Sequence, residues 1–182
     1  MKNLMTGIKL FLVLMLLTGL VYPVVITLFA QLLFPGQANG DPYLIGQRFD
    51  QDKYFWPRPS ATGYNTLPAG GSNLSATSKN LKEMIVKRKA FLLAADKTKT
   101  EKQIPSDLLL ASGSGLDPHI SIAAAIFQVE RVAKARQIDK DNILAFISRA
   151  TERKQLFIFG EDRVNVLRLN QLLDNHSLKG VK

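Results

Sequence analysis

The 31 residues from Leu10 to Gly40 carry no charge, and 20 of the 25 between Leu10 and Phe34 are apolar. A helix of that length rises roughly 37 Å, more than the ~30 Å hydrocarbon core of a bilayer. A cleaved signal peptide has an apolar core of only about 7–15 residues and a small-x-small cleavage site, and Phe29-Ala30-Gln31-Leu32 matches that site poorly. The run reads as an uncleaved transmembrane anchor over residues 10–34. The remaining 148 residues hold 60 apolar ones, ordinary for a small soluble domain. The chain is thus neither wholly soluble nor polytopic.

Lys2, Lys9 and the N-terminal amine precede the anchor, and Pro35 to Asp41 behind it has no basic residue. The positive-inside rule keeps residues 1–9 in the cytoplasm and sends the rest across, whatever the charge of the long domain. The absence of cysteine fits either side of the membrane. Pro23 lacks an amide donor and predicts a kink or one loosened hydrogen bond. Gly19 and Pro23 share a face, which fits ordinary membrane-helix composition or a close contact with a partner helix.

Residues 35–42 form a turn-rich linker, and residues 43–182 the domain. Tyr43 to Asn65 holds six aromatics and the rigid Trp56-Pro57-Arg58-Pro59, which predicts an extended, loop-like segment. Its aromatics either fasten a loop to the core or form a binding surface. Asn80-x-x-Glu83 resembles a capping box opening a helix to Ala95, whose Lys87, Arg88 and Lys89 read as a solvated face. Leu108-Leu109-Leu110 reads as a short strand. Ser121 predicts an N-cap for a helix to Arg136. Ile122, Ala125, Ile126, Val129, Val132 and Ala133 would form its buried stripe, with Gln128, Arg131 and Arg136 turned away. Asp139 opens a further helix to Ala150 with Ile143, Leu144 and Ile147 periodic. Phe157 to Phe159 and Val164 to Leu167 suggest a β-hairpin, and a last helical turn lies near Asn170 to Leu173. The expected fold class is α+β: a single N-terminal transmembrane helix followed by one small extracytoplasmic α+β domain.

Signals for catalysis are sparse. Two histidines and no cysteine leave no zinc pattern, and no Gly-x-Ser-x-Gly elbow occurs. No catalytic residue and no metal ligand is assigned. Ala111 to His119 (ASGSGLDPH) runs toward a helix start, where glycines and free N–H groups can receive phosphate. It lacks the Gly-Lys-Ser/Thr of a P-loop and contains the repelling Asp117, so a structural turn is the preferred reading. Beyond the anchor 22 basic residues face 15 acidic ones. That +7 surface repels cations at long range and suits acidic partners or anionic headgroups, while nucleic acid lacks a motif.

The anchor, Phe55-x-x-Arg58-Pro59-Ser60-Ala61, Gly70-Gly71-Ser72-Asn73-Leu74, Ser112 to Ser121 (SGSGLDPHIS), Gln128-x-x-Arg131-Val132-Ala133 and Arg163-Val164-Asn165-Val166-Leu167 occur in order. Together they closely resemble the KdpC family, the C subunit of the bacterial Kdp high-affinity potassium-transporting P-type ATPase. Ile122 and Arg168 depart from residues common in it, a proline and an acid. The resemblance implies a non-catalytic accessory subunit of the cytoplasmic (inner) membrane that raises the pump's ATP affinity as a catalytic chaperone. It implies three partners: a channel-like potassium-conducting subunit, an ATP-hydrolysing P-type subunit and a small membrane subunit, besides lipid around the anchor. It also implies a nucleotide (ATP) contact by Gln128, beside Gly113, Ser114 and Gly115. An extracytoplasmic domain lies across the membrane from cytoplasmic ATP, so an effect on ATP affinity would be allosteric. The rival expectation is an autonomous membrane-anchored extracytoplasmic binding module or enzyme.

Overall fold

The computed structural model describes residues 2–35 and 40–179. Gly36 to Asn39 of the expected linker, with Met1 and residues 180–182, lie outside the described residues. The chain divides into two compact units, 1–42 and 43–182.

The first unit is one helical run of 32 residues, Lys2–Leu33, rising ~48 Å. It consists of α1 (Lys2–Leu16), a π-helical turn (Leu17–Val21) and α2 (Tyr22–Leu33). Pro23 has no N–H to offer the carbonyl of Gly19. The irregularity expected there takes the form of the π turn just ahead of it, with the Tyr22 N–H reaching back five residues to Leu17 O. Thr18 Oγ1 donates to Leu14 O at 2.8 Å, so this hydroxyl is met within the helix. Its length and composition suffice to cross a membrane.

The second unit holds α3 (Lys79–Ala95), β1 (His119–Ser121), α4 (Ile122–Arg136), α5 (Lys140–Ala150), β2 (Thr151–Glu152), β3 (Arg163–Asn165) and α6 (Val166–Lys179). The three strands form an antiparallel sheet in the order β1-β3-β2. Val164 sits opposite both Ile120 and Thr151, and Val164 and Ile120 are buried. Apolar side chains from α4, α5 and α6 join them: Val132, Ile143, Leu169 and Leu173 belong to one core with Phe55. The fold is α+β, as expected from the sequence.

Ser121 caps α4 as its sequence position predicts: its backbone is extended and its Oγ accepts from Ala124 N at 3.0 Å. The helix stops where Gln137 turns left-handed, at φ 56°, and Ile138 N donates to Ala133 O at 3.2 Å, closing a Schellman-type end. Asp139 precedes α5 with an extended backbone.

Five expectations are corrected. Helix α3 reaches Ala95, but it starts at Lys79 behind an extended Ser78 that makes no side-chain cap bond. Asn80 already lies inside the helix, where it cannot act as an N-cap, so the Asn80–Glu83 capping box does not form. Leu108 ends a 3-10 turn (Ser106–Leu108), because Pro105 begins the segment and Leu108 to Leu110 pair with no strand. The hairpin is absent: Arg163–Asn165 pairs with β1 and β2 instead, and Val166 and Leu167 enter α6. That last helix spans Val166–Lys179, far more than one turn. Finally, Ile126 on the expected buried stripe of α4 is 50% exposed, whereas Gln128 and Arg131, expected to face away, are buried. The reason lies in the segment those two polar side chains hold.

Candidate functional site

Residues 54–59 cross the domain as a strap without regular structure, yet Phe55 and Trp56 are core residues. A buried strap outside any sheet leaves backbone N–H and C=O groups without partners, at about 1–3 kcal/mol for each group. Two amide side chains remove the problem. Asn170 on α6 accepts from Phe55 N at 2.8 Å and donates to Phe55 O at 3.0 Å. Gln128 on α4 does the same for the next residue, accepting from Trp56 N at 2.8 Å and donating to Trp56 O at 3.1 Å. Each amide replaces one residue of a neighbouring strand. Pro57 and Pro59, having no N–H, add no further donors to satisfy.

The Gln128 amide is saturated. Its Nε2 also donates to Ala124 O at 3.2 Å, and its Oε1 also accepts from Arg131 Nη2 at 2.7 Å. Both amide hydrogens and both oxygen lone pairs are thereby used. Arg131 then covers the strap, its guanidinium carbon 3.6 Å from the Trp56 ring centroid and its Nη1 donating to Asp52 O. Burial pushes the Arg131 guanidinium down to about 10, with Asp52 and Asp96 nearby pulling the other way; it stays cationic at neutral pH, as stacking on an aromatic face requires.

The far end of the strap meets the glycine loop. Ser112 N donates to Pro59 O at 3.0 Å, Tyr64 Oη donates to Arg58 O at 2.7 Å, and Arg58 pairs with Asp117 at 3.0 Å. Burial, with Asp50 nearby, lifts the Tyr64 phenol to about 12, which keeps it a neutral donor. Burial alone would raise the Asp117 carboxyl, but hydrogen bonds from His119 and the charge of Arg58 outweigh it and hold the group below its usual range. Within the loop, Gly115 has φ +72°, and a Cβ there would lie 2.7 Å from Thr62 Oγ1 and 2.8 Å from Gly70 O. Packing against residues 60–70 therefore demands this glycine. Ser114 Oγ accepts from Leu116 N at 3.1 Å, a bond internal to the loop.

Of the residues assigned by resemblance, Gln128 is buried, whereas Gly113 and Ser114 are exposed. They join the same strap at different points, Gln128 at Trp56 and the loop at Pro59. Among the described residues no group of three or more His, Cys, Asp or Glu could hold a metal ion. Arg131 and Asn170 are not among the site residues expected from the sequence, although Asn170 carries a signal of the same kind as Gln128. Asn170 lies between Leu169 and Leu173, and Gln128 has Ala124 and Val132 four residues to either side. A polar amide inside an apolar helical stripe marks a buried backbone to be bonded.

An apolar helix of membrane-crossing length joined to a small α+β domain is the build of a membrane-associated module. The chain belongs to the KdpC family, whose profile, described as K+-transporting ATPase, c chain, matches residues 4–175. It is 47% identical over 180 residues to the potassium-transporting ATPase KdpC subunit of Burkholderia orbicola, covering 92% of this chain and 93% of that one. The protein of the same name from Leptospira interrogans is 46% identical over 179 residues, covering 93% and 92%. That from Paraburkholderia xenovorans is 48% identical over 188 residues, covering 96% and 97%. The chain is a membrane-associated subunit of a potassium-transport complex.

Proposed function

We propose that the chain is a non-catalytic accessory subunit that assembles with a channel-like potassium-conducting subunit, an ATP-hydrolysing P-type subunit and a small membrane subunit. Hydrolysis resides in the partner, and this chain acts on ATP use through assembly. The observation that carries this reading is the saturated amide of Gln128. A residue whose every hydrogen-bonding group is spent on Trp56, Ala124 and Arg131 supports the strap instead of waiting for a nucleotide. An effect on ATP affinity is then a coupling between the domain's docked state and the hydrolysing subunit. Of the assigned set, only Gly113 and Ser114 are open to solvent, on a domain that the orientation below places across the membrane from cytoplasmic ATP.

Gln128→Ala separates the two roles. Loss of the strap's clamp predicts poorer recovery of the assembled complex, with the ATP concentration for half-maximal hydrolysis unchanged in whatever assembles. Normal assembly and unchanged domain stability with a shifted ATP dependence would overturn the strap-supporting role of Gln128.

Orientation follows from Lys2 and Lys9, which lie at the N-terminal end of the helical run ahead of its uncharged stretch: N-terminus in the cytoplasm, domain outside the inner membrane. A cysteine introduced at Ser78, at the start of α3, is expected to react with an impermeant thiol reagent in intact spheroplasts. Protection until the cells are lysed would reverse the topology.

A further inference from the structure

Residues 155–159 (Gln-Leu-Phe-Ile-Phe) form a closed tip: Gln155 N donates to Phe159 O and Phe159 N to Gln155 O, both at 2.9 Å. At its turn Leu156 has φ 51° and Phe157 has φ 63°. Two consecutive non-glycine residues in the left-handed region cost on the order of 1 kcal/mol each. Burial does not repay this within the domain, because Leu156, Phe157, Ile158 and Phe159 are 77%, 87%, 76% and 63% exposed. Beside the tip, Ile122, Ile126, Leu144 and Ile147 line a groove of ≈ 500 Å³ that Phe157 also borders. Strain, apolar exposure and concavity thus coincide.

We propose that this tip and groove form one docking surface, and that its occupant is an apolar segment of another protein subunit of the same complex. The shape favours protein over lipid: a bilayer can receive a convex tip but cannot fill the concave groove next to it. The rim agrees. Arg153, Lys154 and Asp162 all border the groove, and a carboxylate among the cations matches the mixed polar rim of a protein interface. The area is sufficient. The exposed parts of the four tip residues with Ile126 and Leu144 amount to on the order of 800 Å², taking ~200 Å² for a whole large apolar side chain. That exceeds the few hundred Å² patches of ordinary monomers and matches the ~800 Å² each partner contributes to a standard interface. The inference rests on the accessory-subunit reading, which supplies the partner.

The test uses the full-length chain co-expressed with the other subunits. With a benzophenone amino acid in place of Phe157, irradiation of the purified complex is expected to join this chain to another subunit. A cross-link only to lipid, only to a second copy of this chain, or to nothing in an intact complex overturns the surface. Independently, Phe157→Asp is expected to lower co-purification of the partner subunits roughly tenfold or more, the scale of a central interface residue. Leu67→Asp, at an equally exposed leucine (89%) in a different loop, serves as the reference and retains them. If the unaltered chain fails to co-purify with any subunit, the accessory reading falls. If it does co-purify and Phe157→Asp does so equally well, only the docking surface falls.

Discussion

Residues 54–59 and 155–159 are both short, non-helical and aromatic, yet Phe55 and Trp56 are 0% and 6% exposed while Phe157 and Phe159 are 87% and 63% exposed. Hydrophobicity does not separate them; the supply of backbone partners does. The strap is bonded by side chains from two helices remote in sequence, Gln128 at a separation of 72 residues and Asn170 at 115. The tip satisfies its own backbone through the Gln155–Phe159 exchange and so needs nothing from the core. Aromatic rings enter the interior only where something answers the peptide groups they carry with them. Where the backbone closes on itself, as in the tip, the same kind of side chain stays outside and is available to a partner.

The largest expected effect comes from removing one of the strap's clamps. Asn170→Ala leaves the Phe55 N–H and C=O unpaired in the core, and two unsatisfied buried groups predict a loss of roughly 2–4 kcal/mol. Trp56 is the chain's single tryptophan and part of the strap, so its fluorescence during denaturant unfolding of the detergent-solubilised full chain reports the transition directly. A change below about 0.5 kcal/mol would mean that the strap is held by its rings alone, and the contrast with the tip would lose its cause.

The contrast also marks how far the sequence could be read. The N-terminal apolar helix was legible because 31 uncharged residues leave few alternatives. Helix α4 was legible because Ser121, the periodic apolar residues and the helix end agree locally. The hairpin was not: Phe157 to Phe159 and Val164 to Leu167 have strand-like composition, but β3 finds its partners in β1 and β2, which no local pattern encodes. The inward turn of Gln128 and Arg131 was missed for a related reason. Helical periodicity assigns polar residues to solvent, and only the position of the strap, set by long-range packing, makes a buried amide favourable. Gly115 fits the structural turn that the sequence favoured over a phosphate cradle, since its positive φ and the close approach of residues 60–70 require a glycine.

The smallest expected effect sharpens the other half of the comparison. Glycine normally weakens a structured position by about 0.5–1 kcal/mol relative to alanine, through the freedom it restores to the unfolded chain. Phe157 is held at φ 63°, where glycine sits without steric cost, and its ring buries almost nothing in the domain. The two contributions are of similar size and opposite sign. Phe157→Gly should therefore leave the unfolding free energy of the full chain within about 0.5 kcal/mol of its original value, read by the same Trp56 fluorescence. The substitution nonetheless deletes the most exposed ring of the tip. A destabilisation above about 1 kcal/mol would show that the ring supports the domain itself, making the tip a second strap and not a surface kept free for a partner.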